Sequence, residues 1–61
     1  MNAAILDKLD RILTYEARVR FNASGDRDLP QAMADTAELA EITRRLYQDI
    51  MAAHAKRPKT S

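Results

Sequence analysis

The stretch NASGDRD, residues 22–28, separates two helical segments of a 61-residue chain. It holds the only glycine of the sequence, Gly25, which can adopt the left-handed conformation that closes a helix without steric cost. Asp28 can cap the next helix, because Pro30 suits a first turn and Gln31 follows three residues later, as in a capping box. A connection of about five or six residues normally joins antiparallel neighbours, so the stretch predicts a helical hairpin.

The segment before this stretch has the periodicity of an amphipathic helix. Asn2 is a suitable N-cap, because its side-chain oxygen can accept an amide proton of the first turn. The large apolar residues lie on one side of the helix: Ile5, Leu6, Leu9, Ile12, Leu13 and Val19. The sequence predicts a first helix over about residues 3–22 and a loop at residues 23–28.

The second segment predicts a helix over about residues 29–55 with a heptad pattern. Its apolar face is assigned to two neighbouring rows with a flanking row: Leu29, Thr36, Thr43 and Ile50; Ala32, Leu39, Leu46 and Ala53; and Met33, Ala40, Tyr47 and His54. The solvent face is assigned to Asp35, Glu38, Glu41, Arg45, Gln48 and Asp49. Because Pro58 stops a helix, the hairpin is expected over residues 1–56 and a disordered basic tail over residues 57–61.

Large apolar side chains are scarce in this chain. Of the residues counted as hydrophobic (46%), eleven are Ala, whereas Leu, Ile, Val and Phe together number twelve. A lone hairpin has one helix–helix seam and leaves half of each apolar stripe in water. Two hairpins stacked around a two-fold axis enclose both stripes, so the sequence predicts an all-α protein in which an antiparallel two-helix hairpin dimerises into a four-helix bundle.

The composition argues against several classes of function. The chain has no Cys and one His, no Gly-rich phosphate loop and no nucleophile–His–carboxylate set, so we expect no enzyme activity, metal, cofactor or small-molecule substrate. No apolar run approaches the roughly 18–20 residues of a membrane span, and no basic segment followed by an apolar run marks a secretory signal. A cytoplasmic location is the resulting expectation.

The predicted apolar faces contain candidate contacts for a partner protein or a second copy: Glu16, Arg20, Thr36, Leu39, Thr43, Leu46, Tyr47 and Ile50. A carboxylate inside an apolar stripe costs free energy unless it is paired. Glu16 therefore predicts either a specificity contact, with Arg20 across a dimer seam or with a basic group of another protein, or a splayed bundle end where Glu16 and Arg20 both reach water. Thr36 and Thr43 either hydrogen-bond the carbonyl four residues back or line a groove for another helix. The leading hypothesis is a homodimeric adaptor, regulator or inhibitor that binds through an amphipathic helical face.

The alternative hypothesis is a regulator that binds RNA or DNA. A stripe expected on the outer side of the first helix combines basic, aromatic and amide side chains: Lys8, Arg11, Tyr15, Arg18 and Asn22. Cations with an aromatic platform between them suit phosphates and bases, and a dimer would double the stripe. The net charge of +1 gives no general attraction to nucleic acid, so this hypothesis depends on local clustering.

Overall fold

The computed structural model describes residues 2–57, which form two α-helices joined by a tight turn. Helix α1 runs Ala3–Ala23, a 3-10 turn follows at Ser24–Asp26, and helix α2 runs Leu29–Lys56. No strand occurs among the described residues, and the two helices form an antiparallel hairpin. Of the predicted basic tail, Arg57 ends α2 as its C-cap and residues 58–61 lie outside the described part.

The turn has the left-handed backbone that the sequence predicts at Gly25. Gly25 has φ 66° and ψ 22°, and Asp26 follows with φ 53°. Arg27 stabilises the end of α1, because its guanidinium donates hydrogen bonds to the carbonyl oxygens of Phe21 (3.3 Å) and Ser24 (3.0 Å). The same guanidinium lies 4.8 Å from the centroid of the Phe21 ring. These contacts turn the chain within a few residues, so that α2 returns alongside α1.

Both predicted N-caps are present. The side-chain oxygen of Asn2 accepts hydrogen bonds from the amides of Ala4 (3.1 Å) and Ile5 (3.4 Å). The carboxylate of Asp28 accepts one from the amide of Gln31 at 3.0 Å, with Pro30 in the first turn. Each cap satisfies amides that have no partner within the helix, and so it sets the residue at which the helix begins.

The helices meet along a seam with alternating spacings of three and four residues, as in a coiled coil. On α1 the half-buried seam positions are Ile5, Lys8, Ile12, Tyr15, Val19 and Asn22. On α2 the buried and half-buried seam positions are Ala32, Asp35, Leu39, Ile42, Leu46, Asp49 and Ala53. Within the described residues only Ala32, Asp35, Ile42 and Leu46 are buried, so one hairpin encloses a very small core.

The hairpin is a rod with extents of 52 × 17 × 16 Å and a radius of gyration of 15.2 Å. A compact domain of this length has a radius of about 10.5 Å. The accessible surface is 5069 Å², against about 4,000 Å² for a compact monomer of the same mass. Neither helix, within residues 2–57, is both long and apolar enough to cross a membrane.

Candidate protein-interaction surface

The face of α2 that packs against α1 differs from the one that the sequence predicts. Asp35 and Asp49, assigned above to solvent, lie in the seam, and Asp35 is only 3% exposed. Both carboxylates have cations of α1 beside them: Arg18 Nη2 is 3.3 Å from Asp35 Oδ1, and Lys8 Nζ is 2.6 Å from Asp49 Oδ2. The assignment of these two aspartates was wrong because charge pairing between the helices, as well as apolar content, selects the packed face.

One side of the hairpin is polar. Arg11 of α1 lines an open groove of about 490 Å³ together with Glu38 and Arg45 of α2. The helix rows that contain these three residues lie beside the seam, on the groove side of the hairpin. Each helix has a second row beside the seam, and that row lies on the opposite side of the hairpin. By this helical phase, the row of Leu9 and the row of Thr36, Thr43 and Ile50 share that opposite side.

That opposite side is apolar and open to solvent. We call it the exposed face, and we define it by Leu6, Leu9, Leu13, Leu29, Met33, Thr36, Ala40, Thr43, Tyr47 and Ile50. Leu13 and Tyr47 are each 64% exposed, and Ile50 is 47% exposed. Single exposed apolar residues are normal, but a contiguous strip of them marks an interaction site.

Four of the predicted interface residues lie on the exposed face: Thr36, Thr43, Tyr47 and Ile50. The hydroxyl of Thr36 donates to the carbonyl oxygen of Ala32 at 2.7 Å, and that of Thr43 donates to Leu39 at 2.8 Å. The first of the two alternatives for these threonines is therefore observed. Because both hydroxyl protons form hydrogen bonds within α2, they are not free to bind a partner, and the threonines contribute short side chains to the exposed face.

Leu39 and Leu46, which the sequence predicts as contacts for a partner, do not lie on the exposed face. Leu46 is buried and Leu39 is half-buried, and both belong to the seam between α1 and α2. Their row neighbours the exposed face, and sequence periodicity alone does not separate neighbouring rows. These two leucines hold the hairpin together, and substituting them would test folding before it tested binding.

Glu16 and Arg20 form an ion pair on the surface of α1, with a hydrogen bond from Arg20 Nη2 to Glu16 Oε1. This hydrogen bond and the charge of Glu16 raise the pKa of the Arg20 guanidinium above its usual value. Glu16 shares a helix row with Leu9, and Arg20 shares one with Leu6 and Leu13. The pair therefore marks the point along α1 where the exposed face changes from apolar to charged.

The stripe proposed for nucleic-acid binding is not a continuous outer surface, which corrects its predicted position. Lys8, Tyr15 and Asn22 are half-buried at the seam. Lys8 is paired with Asp49, and Arg18 is paired with Asp35 while lying 5.4 Å from the centroid of the Tyr15 ring. Arg11 lies beside a groove whose charges have both signs: Lys8, Arg11, Glu38, Glu41, Arg45 and Asp49.

The α1 residues of the exposed face are not among the interface residues that the sequence predicts. Leu6, Leu9 and Leu13 were counted in the apolar stripe of the first helix but not among the interface candidates, and Met33 of α2 was likewise omitted. The width of that stripe could have identified them. A seam with one other helix needs two helix rows, whereas the apolar residues of α1 occupy more than two rows. The additional rows carry the leucines that α2 does not cover.

The described residues contain no group of three or more His, Cys, Asp or Glu that could hold a metal ion. The exposed face is bordered at one end by the Glu16–Arg20 pair. Comparison with protein-family models, with curated proteins and with solved structures gave no match.

Proposed function

We propose that this protein is a helical interaction module that binds protein through the exposed face, with a second copy of the chain as its primary partner. Stacking two hairpins through this face forms a four-helix bundle. The module acts by occupancy, as an adaptor, regulator or inhibitor, and it needs no catalytic group or cofactor.

The observation that carries this proposal is the exposure of Leu9 and Leu13 on one side of a hairpin whose core holds few side chains. Leu9 is 43% exposed and Leu13 is 64% exposed, although both belong to the apolar stripe of an amphipathic helix. Burial of apolar area stabilises association at about 25 cal/mol per Å². Burial of these leucines against a partner therefore adds stabilisation that the contacts between α1 and α2 do not provide.

The size of the exposed face is that of a small protein interface. The face runs along α2 from Leu29 to Ile50, about 32 Å at 1.5 Å per residue, on a hairpin 17 Å wide, so its flat area is on the order of 500 Å², at the low end of what protein interfaces bury per partner. The accessible surface of 5069 Å² also exceeds the about 4,000 Å² of a compact monomer, because a rod of two helices leaves most of its side chains open to solvent. A second hairpin stacked on the exposed face would cover part of this surface without any rearrangement of α1 or α2.

Two adjacent residues of α2 provide a matched test. Ile50 (47% exposed) lies on the exposed face, whereas Met51 (53% exposed) points to the outer side of the same helix. We expect the unmodified chain to have the mass of a dimer in sedimentation equilibrium at tens of micromolar. Ile50→Glu should weaken the dimer at least tenfold, because two charges would be buried at the interface, and Met51→Glu should not.

Circular dichroism of both variants serves as the folding control. A chain that is monomeric over the whole concentration range and still melts cooperatively at high temperature would overturn the proposal. Equal effects of Ile50→Glu and Met51→Glu on the dimer would also contradict it, since the exposed face would then have no special role.

Nucleic-acid binding has less support than protein binding. Lys8 and Arg18 would have to leave Asp49 and Asp35 to contact phosphate. We expect mixtures with RNA or DNA to show no affinity that falls steeply with salt, as phosphate contacts require. Steep salt dependence that is lost in Arg11→Ala, a substitution that breaks neither of the ion pairs between the helices, would instead favour the nucleic-acid hypothesis.

A further inference from the structure

The character of the exposed face changes along the hairpin. At the open end, where the termini of the two helices meet, it carries Leu6 and Leu9 of α1 with Tyr47 and Ile50 of α2. The ion pairs Lys8–Asp49 and Arg18–Asp35 set this register, because each joins residues at the same level of the two helices. The open end is therefore apolar on both helices.

At the turn end, α1 contributes charge in place of leucine. Glu16 and Arg20 occupy the helix rows that hold leucines at the open end, and they pair with each other. Their side chains are 45% and 80% exposed, so water solvates this pair in the single hairpin. On α2 the turn end carries Thr36 and Met33 at about the same level.

Two stacked hairpins can be related by a two-fold axis across the rod or along it. An axis across the rod lays α1 antiparallel on α1 of the second copy. Leu6 and Leu9 of one copy would then cover Glu16 and Arg20 of the other. Such an arrangement removes an ion pair from water and gives it only leucine side chains, which costs desolvation free energy without new partners.

We infer that the two copies associate with the two-fold axis along the rod, so that both turns lie at the same end of the four-helix bundle. Each α1 then lies against α2 of the second copy. Leu6 and Leu9 meet Tyr47 and Ile50, apolar residues at the same level. The Glu16–Arg20 pairs stay at the turn end beside Met33, Thr36 and Ala40 of the second copy, away from the leucines of the open end. This inference rests on the proposed dimer and specifies its orientation.

Because the 61-residue chain has no Cys, single Cys substitutions allow spin labels to be attached at chosen positions. Ser24→Cys places a label in the turn, Met51→Cys places one near the open end, and Thr14→Cys places one near the middle of the rod. Distances between the two labels of a dimer are then measured by double electron–electron resonance. Thr14→Cys is the control, because the middle of the rod is close to its counterpart in either orientation.

With the axis along the rod, all three positions should give distances of about 20–30 Å, the width of two or three helices. With the axis across the rod, Ser24→Cys and Met51→Cys should both lengthen to about 35–40 Å, because each lies about ten residues, or roughly 15 Å, from the level of Thr14, while Thr14→Cys stays short. That pattern would overturn the orientation and leave the proposed dimer intact. Absence of any dipolar coupling at all three positions, with a monomer mass in sedimentation, would overturn both.

Discussion

Arg18 Nη2 lies 3.3 Å from Oδ1 of Asp35, and this ion pair joins α1 to α2 near the turn. The arginine side chain is 51% exposed, whereas the aspartate side chain is 5% exposed. Gln31 adds a hydrogen bond to the same oxygen at 3.0 Å, while Oδ2 is buried without a hydrogen-bond partner among the described residues. Arg18 is thus the cation that compensates a carboxylate inside the seam.

Removing Arg18 while keeping Asp35 should destabilise the hairpin. Arg18→Ala leaves a buried carboxylate without its cation, so we expect the free energy of unfolding to fall by about 1–3 kcal/mol, measured by urea unfolding at fixed protein concentration. The double variant Arg18→Ala, Asp35→Leu should regain this loss, because an apolar side chain at a seam position needs no partner. A double variant less stable than Arg18→Ala would contradict this account of the pair.

Ile42 should matter far more for stability than its neighbour in sequence. Ile42 is 5% exposed in the seam, so Ile42→Ala should cost about 2–5 kcal/mol and lower the melting temperature at every protein concentration. Thr43→Ala changes a residue on the exposed face and should leave the stability of the hairpin nearly unchanged. Thermal unfolding measured by circular dichroism checks this prediction. Equal losses of stability in Ile42→Ala and Thr43→Ala would mean that the seam lies elsewhere on α2.

Gly25 should resist replacement for a backbone reason alone. No atom lies within 4 Å of the position that a Cβ would take there, but its φ of 66° is unfavourable for most L-residues. We expect Gly25→Ala to cost about 1 kcal/mol, or roughly 4–8 °C in melting temperature for a chain of this size. Gly25→Asn should cost less, because asparagine tolerates the left-handed region, and Ser24→Ala at a φ of −67° is the control. Identical melting temperatures for Gly25→Ala and Ser24→Ala would contradict the prediction.

Glu41 should make the helicity of α2 sensitive to acid. Arg44 Nη2 lies 2.7 Å from both of its carboxylate oxygens, and Arg45 Nε lies 3.0 Å from Oε2. These hydrogen bonds lower the pKa of Glu41. The folded state therefore binds the proton less readily than the unfolded chain does. The stabilisation is present above the ordinary pKa of a glutamate and is lost as the pH falls through the lowered pKa of the folded state.

Thermal melts between pH 7 and pH 3 test this contribution. Glu41→Gln should reduce the drop in melting temperature across the acid range, because the ion pairs that titrate are gone. Glu38→Gln is the control, since Glu38 is exposed on the same helix and no ion pair among residues 2–57 includes it. Acid profiles that are the same for the two variants would show that Glu41 contributes nothing specific.

The hydrophobic periodicity of α2 does not determine which of two helix rows packs against α1. The row of Ala32, Leu39 and Leu46 is flanked by two candidate rows, one holding Thr36 and Thr43 and the other holding Asp35, Ile42 and Asp49. Hydropathy favours the threonine row, which is the row that the sequence predicts on the apolar face. The structure uses the other row, because Arg18 and Lys8 of α1 neutralise the two aspartates and Ile42 fills the space between them.

A similar division explains the candidate surface on α1. The sequence marks one broad apolar stripe, in which Ile5, Ile12 and Val19 are not distinguished from the leucines. In the structure these three residues are half-buried against α2, while Leu6 and Leu13 remain open to solvent. The choice between the rows depends on the direction from which α2 approaches, which no residue of α1 encodes by itself.

The sequence by itself determined the helices, their caps and the left-handed turn at Gly25, because each depends on side chains and backbone within a few residues of one another. Only the tertiary structure decided which rows of α1 and α2 meet and therefore which apolar residues are left for a partner. Contacts such as Arg18–Asp35 link residues that are distant along the chain, and their free energy depends on burial that exists only once the helices have packed.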